Sequence, residues 1–296
     1  MTRPCRAGAV VCDPMPVVPR AASGRRAAVR TAGAALAAAA LLLAAPVAAA
    51  RAQSLLDRVR QAANVARTLL PISTAKEIEI GRGIAATIAG RFPVSTDAAL
   101  TRYVNLVGLT VASQAPRPDI TYRFAVLETP IVNAYAAPGG YIFITRGSLA
   151  MIQSEAELAG VLAHEVGHVN RRHVIEGIRK SDTMREVRNT VDIEGATLDR
   201  VVGTGADALF TGLSRGDELE ADSLGLEYAA AAGYDPGGLA AFVGRLDQHA
   251  GEGPVSEFFA THPKPDERVE RLVAIAQREG LSGGVTLEDR YRAIVK

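Results

Sequence analysis

The chain has 296 residues, 48% of them hydrophobic, which is ample for a sizeable core; with no Trp and 5% aromatics, that core must be aliphatic and alanine-rich. A formal net charge of +1 hides an asymmetry: residues 1–52 hold seven Arg and one Asp, and beyond them 26 basic residues face 31 acidic ones. The mildly acidic remainder offers no basic patch, so no nucleic-acid partner is expected. Both cysteines, Cys5 and Cys12, precede residue 53, which leaves no disulfide and no thiol nucleophile further along.

Arg25, Arg26 and Arg30 precede an apolar run from Ala32 to Ala50, and Ala50-Arg51-Ala52 offers a small-residue cleavage site before Gln53. Residues 1–52 therefore read as a signal peptide and the mature chain as periplasmic, with Met15 an alternative start. The other reading of the run is an uncleaved anchor, which its alanine content and Pro46 disfavour. Beyond the leader, any membrane association is expected to be peripheral. Residues 53–73 form a lead-in and 74–296 one domain.

Apolar residues at helical spacing (Ile80, Ile84, Ile88) predict a helix from Thr74 to Arg91. A second starts at Thr96 as N-cap and carries Leu100, Val104, Val107 and Val111. The period then changes to two. Tyr122, Phe124 and Val126 mark one strand, 131–136 a second, and Tyr141–Thr145 a third after the turn Pro138-Gly139-Gly140. A helix opens at Ser154, with Glu157 at capping-box spacing, and runs to His173 on an apolar face of Leu158, Val161, Leu162, Val166 and Val169. Residues 174–213 read as helix fragments with a mobile loop acting as a lid, or equally as ordinary surface helices. Helices follow over 217–232, 238–248, 266–278 and 287–295, with a linker from Gly251 to Pro254 and a proline break after Thr261-His262. The fold class is α+β, mainly α, with a small sheet beside the 154–173 helix.

That helix contains His164-Glu165-Val166-Gly167-His168. Residues four apart share a helix face, so both imidazoles can reach one metal ion, and Glu165 stands beside them as a general base. Two histidines leave a catalytic zinc one protein ligand short. Glu218 and Asp222, again four apart, alone read as an acidic helix surface, but beside the two histidines they are the candidates for a ligand and for a carboxylate that orients an imidazole. Glu220 points from another face and reads as solvated, so Glu218→Gln should strip zinc and Glu220→Gln should barely matter. His173 reads as a structural residue at the helix end.

Four segments in order then resemble the gluzincin zinc metalloproteases that include HtpX, BepA and the CAAX prenyl protease: Asn133 to Tyr141, His164 to His173, Ser214 to Gly225, and Thr261-His262-Pro263-Lys264-Pro265 with Arg268. The resemblance is to the soluble, periplasmic type, because no hydrophobic run interrupts the domain. It implies one Zn2+ held by His164, His168 and Glu218, Glu165 as general base and acid, and Asp222 supporting the ligands. It also implies that His262 can occupy the open metal position and hold the enzyme latent. The oxyanion donor is open among Arg215, Tyr135 and His262, and Arg215 reads equally as a salt-bridge partner. The strand at Asn133, Ala134 and Tyr135 would add an extended polypeptide if its outer edge is free. The expected function is an exported zinc endopeptidase in quality control of envelope proteins, with unfolded or misassembled substrates and the outer-membrane assembly machinery as partners. The rival is a zinc-stabilised, non-catalytic chaperone that grips extended segments. A hydrolase of small substrates would need a closed pocket instead of a groove.

Overall fold

The computed structural model describes residues 58, 72–181, 196–251, 253–262 and 265–295. The expected leader, most of the lead-in, residues 182–195 of the expected lid, and Pro263 and Lys264 lie outside these. The elements below belong to the unit Asn64–Lys296.

Helical periodicity produces α1 (Thr74–Arg91), capped by the Ser73 hydroxyl, which accepts from the Lys76 amide. Next comes α2 (Ala98–Ala112). Its cap is Asp97, not Thr96: the carboxylate accepts from the Leu100 amide at 3.0 Å. The sheet is mixed. Strands β1 (Arg123–Leu127), β2 (Ala134–Ala137) and β3 (Tyr141–Thr145) lie in the order β1-β3-β2, with β1 parallel and β2 antiparallel to β3. The second strand is shorter than expected because the Val132 amide donates to Pro254 and the Asn133 amide to the Thr145 hydroxyl, outside the ladder. Gly139 and Gly140, at φ 74° and 89°, make the β2–β3 turn that a side chain would strain.

Alternation along β2 and β3 sorts their side chains between two hydrophobic clusters. Ala134, Ala136, Ile142 and Ile144 join the cluster built on α2 and the helix that carries His164. Tyr135, Ala137 and Phe143 join a second cluster with α1. The sheet is thus buried on both faces. A short helix absent from the sequence expectation, α3 (Arg146–Met151), follows β3 directly, capped by Thr145.

The central helix is α4 (Glu155–Arg171). Ser154 accepts from the Glu157 amide at 3.1 Å, and the Glu157 carboxylate accepts from the Gln153 amide at 2.9 Å. The helix stops two residues earlier than expected because Arg172 takes the left-handed conformation (φ 60°), and α5 (His173–Lys180) starts a new direction. Then come α6 (Ala196–Thr211), α7 (Arg215–Ala231), α8 (Gly238–Gln248), α9 (Gly253–Thr261), α10 (Pro265–Arg278) and α11 (Glu288–Val295). Helix α9 begins inside the stretch that composition marks as a linker. Among the described residues no helix is long and apolar enough to cross a membrane.

Two glycines let α4 and α7 meet almost backbone to backbone. A Cβ at Gly225 would lie 2.9 Å from the His164 amide nitrogen, and one at Gly167 would lie 3.3 Å from Ala221 Cα. That close crossing brings Glu218 and Asp222 of α7 against the histidines of α4. A buried Glu155 steadies the other end of α4: the Tyr103 and Tyr234 hydroxyls donate to it at 2.7 and 2.8 Å, and Arg290 pairs with it.

Candidate metal centre

His164, Glu165 and His168 are buried on one side of α4, and Glu218 and Asp222 face them from α7. The Nε2 atoms of His164 and His168 stand 3.0 Å apart. Glu218 Oε1 lies 3.4 Å from His168 Nε2, and its Oε2 lies 3.6 Å from His164 Nε2. His262, at the C-terminal end of α9, brings its Nε2 within 3.7 Å of the same Oε2. Its ring stacks on Phe258 at 4.3 Å, and its Nδ1 lies 2.8 Å from the Thr261 hydroxyl, which in turn lies 3.4 Å from Asn133 Nδ2 beside β2. Three imidazole nitrogens therefore converge on one carboxylate.

The electrostatics suit a cation. Burial raises the proton affinity of Glu218, but the imidazoles of His262, His168 and His164 outweigh it and hold the carboxyl well below its usual range. Burial keeps His168 neutral and pushes His262 down to about 4. Burial also opposes charge on His164, yet the carboxylates of Asp222 and Glu218 raise it to about 9. Glu165 is raised to about 7, chiefly by burial. Glu218 Oε2 is buried without a hydrogen-bond partner among the described residues. A buried anionic oxygen left unpaired is costly, and a cation between it and the Nε2 atoms removes that cost. Imidazole nitrogens with a carboxylate oxygen are a donor set that fits zinc.

Behind His164 stands a second, fully buried pair. Asp222 Oδ1 lies 3.0 Å from His164 Nδ1, and Arg268 of α10 donates to both Asp222 oxygens, at 2.6 and 2.8 Å. The pairing with Arg268 overcomes burial and keeps Asp222 ionised. Arg268 is the residue whose role sequence reasoning missed, although it stood in the late motif. Its partner is 46 residues away, beyond any periodicity.

Other expectations need correction. The Arg215 side chain is 63% exposed and ion-pairs with Glu267, the salt-bridge role that the sequence also offered for it. Glu220 is not simply solvated, since its carboxylate pairs with Arg171 at 2.9 Å and lies 3.1 Å from His173 Nε2. His173 does not end α4 but opens α5, with its ring against His168. Asn133 anchors β2 through its neighbours, and the Tyr135 ring packs on Phe92 and Phe210, 6.2 and 5.7 Å away. Little room is left beside β2. Ala134, Tyr135 and Ala136 share with Glu165, His168, Ala208, Leu209 and Leu213 a cavity of about 20 Å³, little more than one water molecule.

A helix pair presents two histidines, a buried glutamate and a facing carboxylate beside a small sheet, and the family to which the chain belongs is one of metalloproteases. The chain belongs to peptidase family M48, whose sequence profile matches residues 98–276. It is similar to the beta-barrel assembly-enhancing protease of Escherichia coli (strain K12), 28% identical over 212 residues that make up 67% of this chain and 43% of that one. It also resembles the mitochondrial metalloendopeptidase OMA1 of Arabidopsis thaliana (36% over 153 residues; 52% of this chain, 31% of the relative). To the metalloprotease LoiP of Escherichia coli (strain K12) it is 28% identical over 182 residues, 58% of this chain and 68% of the relative. The matched part spans less than half of the beta-barrel assembly-enhancing proteases.

Proposed function

We propose that the chain is an exported zinc endopeptidase of envelope protein quality control. His164, His168 and Glu218 are its zinc ligands, Glu165 its general base and acid, Asp222 the group that orients His164, and His262 the residue that closes the remaining metal position. The observation that carries this reading is the buried Glu218 carboxylate, its Oε2 without a hydrogen-bond partner, on which three imidazole nitrogens converge. Zinc, when bound, supplies a Lewis acid for the peptide carbonyl and acidifies a water. Glu165, buried and poised near neutrality, takes the proton of the attacking water and passes it to the leaving amine. Asp222, facing His164 Nδ1, keeps the proton there and leaves Nε2 free to ligate.

The substrate is an extended or locally unfolded segment that pairs with the β2 edge. Ala208 and Leu209 of α6, with Leu213, line the narrow cavity beside β2, and α6 with Leu213 is the lid that must move aside. The relatives' names, beta-barrel assembly-enhancing protease and metalloendopeptidase, support substrates among misassembled envelope proteins and partners in the outer-membrane assembly machinery. The apolar run at 32–50 supports export, with 1–52 removed and Gln53 the first residue of the fractionated protein on N-terminal sequencing. The buried Glu165 beside the metal position disfavours the non-catalytic chaperone.

Casein cleavage and bound zinc, measured together, test the reading. Glu165→Gln should lose cleavage by roughly 10²–10⁴-fold while keeping zinc. His262→Ala should raise cleavage at unchanged zinc if His262 closes the metal position, and lower it if His262 instead contacts the oxyanion. Tight client binding without cleavage by any variant would establish the chaperone.

A further inference from the structure

We propose that His173 is a positioning residue for the metal site: anchored on Glu220, its imidazole holds His168 in the tautomer whose Nε2 is free to ligate. The inference rests on the metal reading above and adds a residue to it. His173 is 3% exposed. Its Nδ1 lies 2.9 Å from His168 Nδ1, and its Nε2 lies 3.1 Å from Glu220 Oε2, with Asp217 Oδ1 3.8 Å away.

Proton counting fixes the direction of these bonds. His168 Nε2 is the atom that faces His164 and Glu218, so its lone pair must stay free for the metal. A neutral His168 then carries its hydrogen on Nδ1 and needs an acceptor there. His173 Nδ1 accepts only if the His173 hydrogen sits on Nε2, and there the Glu220 carboxylate, an acceptor alone, receives it. Reversing the first bond would put a proton on His168 Nε2 and block ligation. Liganding histidines rely on such outer partners, and the usual partner is a carboxylate, a carbonyl or water. Here it is a second imidazole.

The contact exists only because the helix breaks. Had α4 continued, residue 173 would stand about 140° around the axis from residue 168, and the two rings could not meet. Arg172 makes the break at φ 60° and ψ 32°, a conformation that non-glycine residues seldom adopt. Its guanidinium Nε lies 3.0 Å from Glu77, a fully buried carboxylate of α1, which clamps the break.

The test uses the full chain and three variants, His173→Phe, His173→Asn and Glu220→Gln. Zinc affinity is read by chelator competition, and the ring tautomer of His168 by ¹⁵N resonance in the zinc-free protein. Phenylalanine keeps the ring and loses the acceptor, so His173→Phe should weaken zinc roughly 10–100-fold and let the His168 tautomer mix. Asparagine places an amide oxygen near the lost Nδ1, so His173→Asn should recover most of the affinity and the Nδ1–H tautomer. Glu220→Gln should weaken zinc less than His173→Phe, because the amide oxygen still accepts. Wild-type affinity in His173→Phe would overturn the assignment, and so would equal losses in His173→Phe and His173→Asn, which would mark a packing role. A wild-type chain without zinc affinity would overturn both this inference and the metal reading beneath it.

Discussion

His164 and His168 sit one turn apart on α4 and face the same carboxylate, but different structures stand behind them. His164 is backed by Asp222, and Asp222 by Arg268, a charged pair taken wholly out of water between α7 and α10. His168 is backed by the ring of His173, and that by Glu220, whose side chain is 45% exposed and shared with Arg171. A buried charge is tolerated only while its partner is present, so the His164 side is bound to the integrity of the fold. The His168 side ends in solvent, where water can replace a missing partner. The two halves of one site should therefore answer perturbation very differently.

The harshest way to expose this difference is Arg268→Met. It takes the guanidinium from the buried Asp222 carboxylate and leaves it His164 alone, a defect worth up to about 3–5 kcal/mol, and should also loosen zinc. Denaturant unfolding of the zinc-free chain measures the first effect and chelator competition the second. Stability within about 1 kcal/mol of wild type would mean that the pair is not held as described. Adding Asp222→Asn to Arg268→Met should return stability but not zinc affinity.

Gly225→Ala strikes the same side through packing. The new methyl group meets His164 backbone at 2.9 Å, so α7 must shift, at a cost of about 1–3 kcal/mol, and carry Glu218 with it. Gly167→Ala, with 3.3 Å available, should do less. Zinc affinity falling further in the first variant than in the second is the expected result.

Titration separates the two histidines more gently. His164 is raised to about 9 when folded, so its contribution to zinc-free stability is full below the unfolded value near 6.5 and is lost as pH rises through about 9. His168 is depressed when folded, so it opposes folding as pH falls below about 6.5. These two terms alone place the most stable zinc-free state near pH 6.5. Asp222→Asn should flatten the alkaline side, which unfolding across pH would reveal. The smallest effect belongs to Arg171→Ala. That exposed pair is worth under about 1 kcal/mol, and zinc affinity should not move.

Much of the fold was legible because local rules carry it. Period-two alternation at 122–126 marks β1, the Pro138-Gly139-Gly140 turn delimits β3, and Ser154 with Glu157 at capping-box spacing marks the start of α4. The misses have a common cause. Helix α9 begins at Gly253 in a stretch whose glycines and proline read as linker, yet the Pro254 carbonyl accepts from Val132 and ties it to the domain. Glu220 reads as solvated on helical geometry alone, because nothing local reveals that α5 turns back towards it.

By itself, the sequence determined which side chains share a face within one element. His164 with His168 and Glu218 with Asp222 follow from 3.6 residues per turn, whatever surrounds them. Only tertiary structure decided what meets between elements. It set Arg268 on Asp222, His262 over Glu218, α6 beside β2 and His173 behind His168. Those contacts depend on glycine-close helix crossings and on one left-handed arginine clamped by a buried glutamate. Periodicity constrains neighbours along a helix, whereas packing chooses neighbours across space, and a non-glycine residue at positive φ leaves no mark in local propensity.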